Sequence, residues 1–363
     1  MHIDLFQPYA IGKLELRNRF LRSATWDGTA SATGAVTDKS LAIYRRLGKG
    51  GIGLIVTGYA FVSQQGQSSR GQYGVYSDDM IPGLRHLVQV VHEGGGRIAL
   101  QIVHGGINSN ILASKGITLL AVSKRAYDSR LHREMTDEEV EAVVTDFVSA
   151  AKRAVEAGFD AIQLHGAHGF LMSQFLSPLF NSRTDKWGGN ADNRRRFHLE
   201  VIRRIRRTID PDFPLLIKFG VKDDQEGGLS LSEGIETARQ MAAIGIDAIE
   251  VSAGVGASSQ ASGMGEGEST PFKERAGVVK RAVTVPVVLV GGIRSLDKAQ
   301  EIVERGDADL ISMSRPFIRE PDLINRWQCD RSAALCISCN QCRVIVGGEG
   351  ALQCGEELSM RQN

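Results

Sequence analysis

Short apolar segments alternate with helical segments along most of the chain, and this alternation constrains the fold more than any other feature. The apolar segments are bounded by Gly, Asp or Pro and lie at Gly53–Val56, Arg97–Ile102, Ala161–Leu164, Leu215–Phe219, Ala248–Val251, Val287–Val290 and Leu310–Met313. Buried strands that are connected by helices pair in parallel. With a first strand near Phe20–Ala24, eight strand–helix units result, which predicts an α/β fold of the (β/α)8 TIM-barrel type.

A doubly wound open sheet is the alternative fold. It requires a Gly-rich dinucleotide fingerprint directly after an early strand, whereas the Gly-rich stretch Gly48–Gly53 precedes its strand. The clearest predicted helix follows Thr136, which forms a capping box with Glu139 and is followed by apolar residues at helical spacing.

The length of 363 residues with 42% hydrophobic positions is enough for one large core. We therefore expect one barrel over residues 1–328 and a short cysteine-rich extension over residues 329–363. The Gly- and Ser-rich stretch Gly254–Ser269 is interpreted as a long mobile loop after the sixth strand, and the tail beyond Arg331 as a separate appendage.

Charge and hydropathy exclude several classes of partner. Lys and Arg number 43 against 42 for Asp and Glu, so a net charge of +1 offers no field for holding nucleic acid. No stretch approaches the roughly 18 apolar residues of a membrane span, and the first residues lack the apolar run of a signal peptide. These features predict a soluble, cytoplasmic protein with reduced thiols.

Two histidines follow the fourth predicted strand on a tight, Gly-flanked turn. In a barrel the reactive groups gather at the carboxyl ends of the strands. There His165 and His168 can converge, and their N–H groups could hold an oxygen that acquires negative charge. Two structural histidines or a zinc site are the alternatives, although no third metal ligand lies at a sensible spacing.

The last two strands are followed by residues suited to a phosphate. Gly291 and Gly292 follow the seventh strand, and Ser314 and Arg315 follow the eighth. Loops at these positions form the usual phosphate site of a barrel, because Gly lets backbone N–H groups approach an anion. A tight turn without a ligand is the simpler interpretation of the Gly pair; the following Arg favours a phosphate-bearing cofactor.

Two other strand ends carry polar residues where a simple core would be apolar. They are Gln101 in Gln-Ile-Val-His-Gly-Gly and Lys218 in Leu-Ile-Lys-Phe-Gly. A cation can stabilise the charge of a reduced flavin ring, and an amide can hydrogen-bond its carbonyl or N3. Either residue could instead be an ordinary rim residue.

With these motifs the sequence resembles the NADH:flavin oxidoreductase, or Old Yellow Enzyme, family over about residues 3–328. The most specific stretch is LHGAHGFLMSQFLSPLFNSRTDKWGGN, residues 164–190, followed by Asn193-Arg194. The segments Leu-Phe-Gln-Pro, Leu-Arg-Asn-Arg, Gln-x-x-His-Gly-Gly, Val-Gly-Gly-Ile and Ser-Arg-Pro-Phe occur in the same order as in the family.

The resemblance implies FMN at the mouth of the barrel, reduced by NADH or NADPH and reoxidised by an electron-poor alkene, a quinone or a similar acceptor. By position, Ser23, Ala24, Thr25 and Gly58 would contact the flavin, and Gln101 and Lys218 would meet its polar edge. Gly291, Gly292, Ser314 and Arg315 would hold the phosphate. His165 and His168 would hold the substrate carbonyl during hydride delivery from N5.

The sequence departs from the family pattern at two places near the flavin. Enone-reducing members usually carry a proton-donating Tyr two residues after the second His, where this chain has Phe170. Either water or another group protonates the product, or the reaction is quinone reduction, flavin reduction or oxidative demethylation, which needs no donor. Trp26 and Asp27 stand where some relatives place a redox-tuning Cys; Trp26 could stack over the flavin or simply pack.

All five cysteines lie between Cys329 and Cys354. The tail resembles the cluster-binding segment of the 2,4-dienoyl-CoA reductase branch, although that branch has three residues where this chain has Asn340 and Gln341. Four thiolates can ligate a [4Fe–4S] cluster or a zinc ion, and the four residues concerned are Cys336, Cys339, Cys342 and Cys354. Unpaired or structural thiols are the alternative.

Three functions stay open beside FMN-dependent alkene reduction. They are the donor-free flavin reactions, an electron-transfer subunit that works with a partner reductase, and a colourless isomerase or aldolase that uses Lys218 on a phosphorylated substrate. In each enzymatic case we expect a small-molecule substrate, and we expect a homo-oligomer.

Overall fold

The structure, a computed structural model, describes residues 3–124, 130–256, 270–343 and 351–362. Its strands, in chain order, are β1 (Tyr9–Ile11), β2 (Leu14–Leu16), β3 (Phe20–Arg22), β4 (Leu54–Val56), β5 (Ala60–Phe61), β6 (Tyr73–Gly74), β7 (Ile98–Val103), β8 (Leu119–Ala121), β9 (His132–Glu134), β10 (Ala161–Gly166), β11 (Leu215–Gly220), β12 (Ala248–Ser252), β13 (Val287–Val290) and β14 (Leu310–Met313).

Eight of these strands pair in parallel and close into a ring in the order β3, β4, β7, β10, β11, β12, β13, β14 and β3 again. The predicted TIM barrel is therefore confirmed, and each of its strands lies within two residues of the predicted bounds. The short β5 and β6 continue the sheet from β7, whereas β1–β2 and β8–β9 form separate pairs.

Helices lie between the strands and cover the barrel. They are α1 (Asp38–Gly48), α2 (Ile81–His92), α3 (Asn110–Ala113), α4 (Asp137–Ala157), α5 (Leu171–Leu176), α6 (Ala191–Arg206), α7 (Leu231–Ala243), α8 (Lys273–Ala282), α9 (Leu296–Glu304), α10 (Arg315–Arg319), α11 (Leu323–Trp327) and α12 (Gly355–Gln362). The predicted capping box is present at α4, where the Thr136 side chain accepts from the backbone N–H of Glu139. Within the described ranges, no helix is long and apolar enough to cross a membrane.

The interior of the barrel changes from apolar to polar along the strands. Near the amino ends, small and branched apolar side chains form one cluster with Ile11 and Leu16 of the β1–β2 hairpin. Side chains two positions apart in a strand point to the same face. Two positions further along, five of the strands carry polar residues: Gln101 follows Ala99, Gln163 follows Ala161, Lys218 follows Leu216, Glu250 follows Ala248 and Ser312 follows Leu310.

The cysteine-rich tail makes backbone hydrogen bonds to the barrel. The backbone N–H of Ala334 donates to the carbonyl of Arg294 at 2.7 Å, and that of Leu352 donates to the carbonyl of Asp27 at 2.9 Å. Of the predicted loop Gly254–Ser269, residues 257–269 lie outside the described residues.

Candidate active site

A cavity of about 710 Å³ opens at the carboxyl ends of the barrel strands. This volume lies within the range of about 300–1,000 Å³ that is usual for small-molecule and cofactor sites. Nine of the twelve residues that the sequence analysis placed at the catalytic and cofactor sites line it: Ser23, Ala24, Thr25, His168, Lys218, Gly291, Gly292, Ser314 and Arg315. The other three, His165, Gly58 and Gln101, are buried beside it and do not line it.

The two histidines lie next to each other, with ring centroids 5.1 Å apart and nearly perpendicular planes. His165 is the penultimate residue of β10, and His168 has a positive φ of 60°, which turns the chain after the strand. The Nδ1 atom of His165 accepts from the backbone N–H of Ala167 at 3.4 Å, so its proton belongs on Nε2. The Nε2 atom of His168 shares a 2.7 Å hydrogen bond with the Ser252 hydroxyl at the end of β12.

Both imidazoles favour the neutral form. Burial, followed by the neighbouring His168 and Lys218 charges, lowers the pKa of His165 well below its usual value. Surrounding protein and the Lys218 charge also lower the pKa of His168, whose ring lines the cavity. A neutral imidazole donates one N–H, so the pair can supply hydrogen bonds but not a full positive charge.

Two aromatic side chains, Phe170 and Tyr59, lie next to His165. The ring of Phe170 lies 4.7 Å from that of His165, and the ring of Tyr59 lies 5.4 Å from that of Phe170. Tyr59, which the sequence analysis missed, brings a hydroxyl that bonds to Ser69 at 2.9 Å. Burial raises the pKa of this phenol, which keeps its proton in place. Its position directly after Gly58, at a strand end, was the available sequence signal.

A buried carboxylate lies below the cavity at the centre of a polar network. Glu250 Oε1 accepts from the hydroxyls of Ser23 at 2.7 Å and Ser312 at 2.9 Å, and it lies 3.2 Å from Lys218 Nζ. Lys218 Nζ also donates to Ser23 Oγ at 2.5 Å. Burial opposes ionisation of Glu250, but Lys218 and the hydrogen bonds outweigh it and lower its pKa. The side chain is therefore a carboxylate.

The network continues through two amides to β7. Gln163 Nε2 donates to Glu250 Oε2 at 2.8 Å, and Gln101 Nε2 donates to Gln163 Oε1 at 2.7 Å. In the part of the chain that the structure describes, Gln101 Oε1 has no hydrogen-bond partner. The sequence analysis missed Gln163 and Glu250; the signal was a polar residue in the middle of an apolar strand.

The predicted phosphate residues form one wall of the cavity. Gly291 and Gly292 have φ values of 103° and 75°, which side chains rarely adopt, so this turn requires glycine. Arg315 begins α10 and donates from Nη1 to Asn340 Oδ1 of the tail at 2.8 Å. Backbone N–H groups without side-chain obstruction beside an arginine are suited to an anion.

The loops after β3 and β4 are held together by Asp27. Its carboxylate accepts from the hydroxyls of Thr29 and Tyr73, and Tyr44 binds both Asp27 and the backbone N–H of Gly58. A Cβ at Gly58 would lie 3.0 Å from the Thr25 carbonyl, so glycine allows the two loops to approach closely. Trp26 lines the cavity, and its Nε1 donates to the Arg70 carbonyl at 3.0 Å.

The cysteines do not form a recognisable metal centre. Among the described residues, which include all five cysteines, no group of three or more His, Cys, Asp or Glu is arranged to hold a metal ion. Burial raises the pKa of Cys336 and Cys342, which favours thiols over thiolates. This arrangement does not support the predicted iron–sulfur cluster or zinc ion, and of the five cysteines only Cys342 lines the cavity.

Comparison with known proteins agrees with this geometry. The model of the NADH:flavin oxidoreductase / NADH oxidase family matches residues 4–333. An NADH oxidase of Thermoanaerobacter brockii is 34% identical over 93% of this chain and 53% of its own length. An NADPH dehydrogenase of Geobacillus sp. (strain WCH70) is 33% identical over 88% of this chain and 92% of its own length.

The structure of a 2-naphthoyl-CoA reductase in complex with 2-naphthoyl-CoA superposes with a TM-score of 0.90 and 27% identity, covering 96% of this chain and 56% of that protein. The chain thus spans about half the length of this protein and of the Thermoanaerobacter relative.

Proposed function

The chain belongs to the NADH:flavin oxidoreductase / NADH oxidase family, and we propose that it is an FMN-dependent NAD(P)H oxidoreductase that reduces an electron-poor alkene. One observation carries this proposal: a glycine pair with an arginine, a buried lysine and a neutral histidine all line a single cavity. These groups match the phosphate, the ring edge and the substrate oxygen that such a reaction must hold.

The residues present fit FMN. Gly291, Gly292, Ser314 and Arg315 would hold its phosphate, and Ser23, Ala24 and Thr25 would contact its ring system. Lys218 would meet the polar edge of the ring, with Gln101 supplying an acceptor from the buried network. When bound, FMN would supply the redox chemistry, which is hydride transfer from NADH or NADPH to the acceptor. Gly58 would act indirectly, through its contact with Thr25.

His165 and His168 would hold the carbonyl oxygen of the substrate. The proton on His165 Nε2 follows from the backbone bond at Nδ1. The Ser252 hydroxyl can donate to His168 Nε2, which leaves the Nδ1–H of His168 as a donor. Two neutral donors polarise an enone without protonating its oxygen.

The Phe170 position keeps a second function open. Its phenyl ring cannot protonate a substrate carbon, and quinone reduction or oxidative demethylation would need no such donor. Tyr59 is the alternative donor, because its ring packs against the rings of Phe170 and His165. We favour alkene reduction with Tyr59 or water as the proton source.

The proposal keeps the division into a barrel, residues 1–328, and a cysteine-rich extension, residues 329–363. No step of the reaction is assigned to the thiols, since their arrangement in the described residues does not support a metal centre. Electron transfer with a partner reductase and assembly as a homo-oligomer stay predictions.

The proposal is tested by an anaerobic absorption spectrum of the purified protein, followed by titration with NADH and NADPH and then with 2-cyclohexenone. Flavin bands that bleach with reduced nicotinamide and return with the enone support it. A protein that neither contains nor takes up FMN would overturn it. Bleaching that only a quinone reverses would favour the second function. Iron and zinc analysis of the same sample tests whether the cysteines of the tail bind a metal.

A further inference from the structure

The buried carboxylate of Glu250 has no part in the proposed reaction, yet it contacts the groups that would meet the flavin. Glu250 is 1% exposed and lies on β12, three strands around the ring from β3, which Ser23 directly follows. An ionised side chain is kept in such a place only when partners satisfy both of its oxygens. Here four groups do so: Ser23, Ser312, Lys218 and Gln163.

We propose that Glu250 is a positioning residue that holds Lys218 and Ser23 at the floor of the cavity and, through its charge, sets the reduction potential of the bound flavin. This inference rests on the proposed FMN site. Lys218 and Ser23 both line the cavity, whereas Glu250 lies beneath them, so its action on a ligand would pass through these two side chains.

The carboxylate first determines where the lysine points. Lys218 has a long, flexible side chain, and its ammonium group is held between Ser23 Oγ at 2.5 Å and Glu250 Oε1 at 3.2 Å. The Ser23 hydroxyl in turn donates a hydrogen bond to Glu250, so the lone pairs of Ser23 Oγ are free to accept from the ammonium group. Without the carboxylate, both side chains lose the partner that orients them.

The carboxylate also limits the positive charge that the cavity presents. A flavin gains negative charge on reduction, and an uncompensated ammonium group would stabilise that charge strongly in a buried site. The paired Glu250 cancels part of this field. The reduced flavin is therefore held less tightly than by a lone lysine, which keeps it a stronger reductant.

The same carboxylate orients the two amides. A carboxylate only accepts hydrogen bonds, so Gln163 must donate to Glu250 and accept from Gln101. This order leaves Gln101 Oε1 as an acceptor at the end of the chain. Replacing the carboxylate by an amide would remove the group that imposes this order, while the shape of the side chain would stay the same.

The test is a redox titration of the FMN-loaded protein, together with the dissociation constant of oxidised FMN measured from the quenching of its fluorescence. In Glu250→Gln we expect the binding of reduced FMN relative to oxidised FMN to tighten about tenfold, which raises the midpoint potential by about 30 mV for a two-electron couple. Ser312→Ala is the matched control, because it removes a hydrogen bond to Glu250 without removing charge. In this control, the ratio of the dissociation constants of oxidised and reduced FMN should stay within twofold of the wild-type ratio.

A double variant separates the effect of the Glu250 charge on the potential from a general disturbance of the barrel. In the Lys218→Met background, Glu250→Gln should no longer raise the potential, because the ammonium group that it uncovers is absent. The inference would be overturned if Glu250→Gln kept the ratio of the two FMN dissociation constants within twofold of the wild type. It would also be overturned if Glu250→Gln raised the midpoint potential equally in the wild-type and Lys218→Met backgrounds.

If Glu250→Gln does not fold, Gln163→Met tests the orienting role without changing charge. We expect weaker binding of oxidised FMN with an unchanged potential, and unchanged binding would overturn that role. A wild-type protein that binds no FMN would remove the proposed function itself, which is a different outcome from an unaffected variant.

Discussion

Acidification should destabilise the fold through His198, a buried histidine on α6. Its side chain is 0% exposed, neither ring nitrogen has a hydrogen-bond partner among the described residues, and its ring packs edge-on against Phe219 at 6.2 Å. Burial lowers the pKa of His198 from 6.5 to about 3. The charged form is thus excluded from the folded state and accessible only after unfolding.

The sign and size of the effect follow from this difference. Between pH 6.5 and pH 3 the unfolded chain binds a proton at His198 that the folded chain does not, so stability falls as the pH falls. One pKa unit corresponds to about 1.4 kcal/mol, and lowering the pH from 7 to 5 covers about 1.5 units of this window. His198 should therefore lower the free energy of unfolding by about 2 kcal/mol over that interval.

The variant His198→Leu removes this contribution and two unsatisfied buried nitrogens. Urea unfolding, followed by circular dichroism at pH 7 and pH 5, should show a free energy that falls about 2 kcal/mol less in the variant than in the wild type. The matched control is His86→Leu, which removes an exposed histidine. If His198→Leu and the wild type lose stability in parallel, the ring is not held neutral and the argument is wrong.

Three further predictions concern the candidate site. His168→Ala should lower the rate of enone reduction about 100-fold, the effect of losing one oxyanion donor, and stopped-flow kinetics should show flavin reduction by NADH changing much less. Arg315→Ala should weaken FMN binding about tenfold in fluorescence titrations, whereas Arg305→Ala, on an exposed helix end, should leave it unchanged. Tyr59→Phe should slow alkene reduction about 100-fold and spare quinone reduction; equal losses with both substrates would exclude the phenol as the proton donor.

The barrel could be predicted from the sequence because its signals are local. Each strand is a short apolar run, and Thr136 with Glu139 marks the start of α4 by bonds within four residues. The strand-end residues that line the cavity could also be placed, because a parallel barrel brings all carboxyl ends to one rim. The contacts of the tail could not be predicted, since its bonds to Asp27 and Arg294 join residues far apart in sequence.

The sequence by itself determined the eight-stranded barrel, the family, and the set of polar residues at one end of the strands, because periodicity and strand-end position depend on neighbours in the chain. Only the tertiary structure decided which of these residues meet. It brought Glu250 of β12 to Lys218 on the neighbouring strand β11 and to Ser23 after β3, three strands away, and it brought Ser252 at the end of β12 to His168 after β10. Hydrogen bonds and charge pairs act over a few ångströms in space, and strands far apart in the sequence come that close only when the ring has closed.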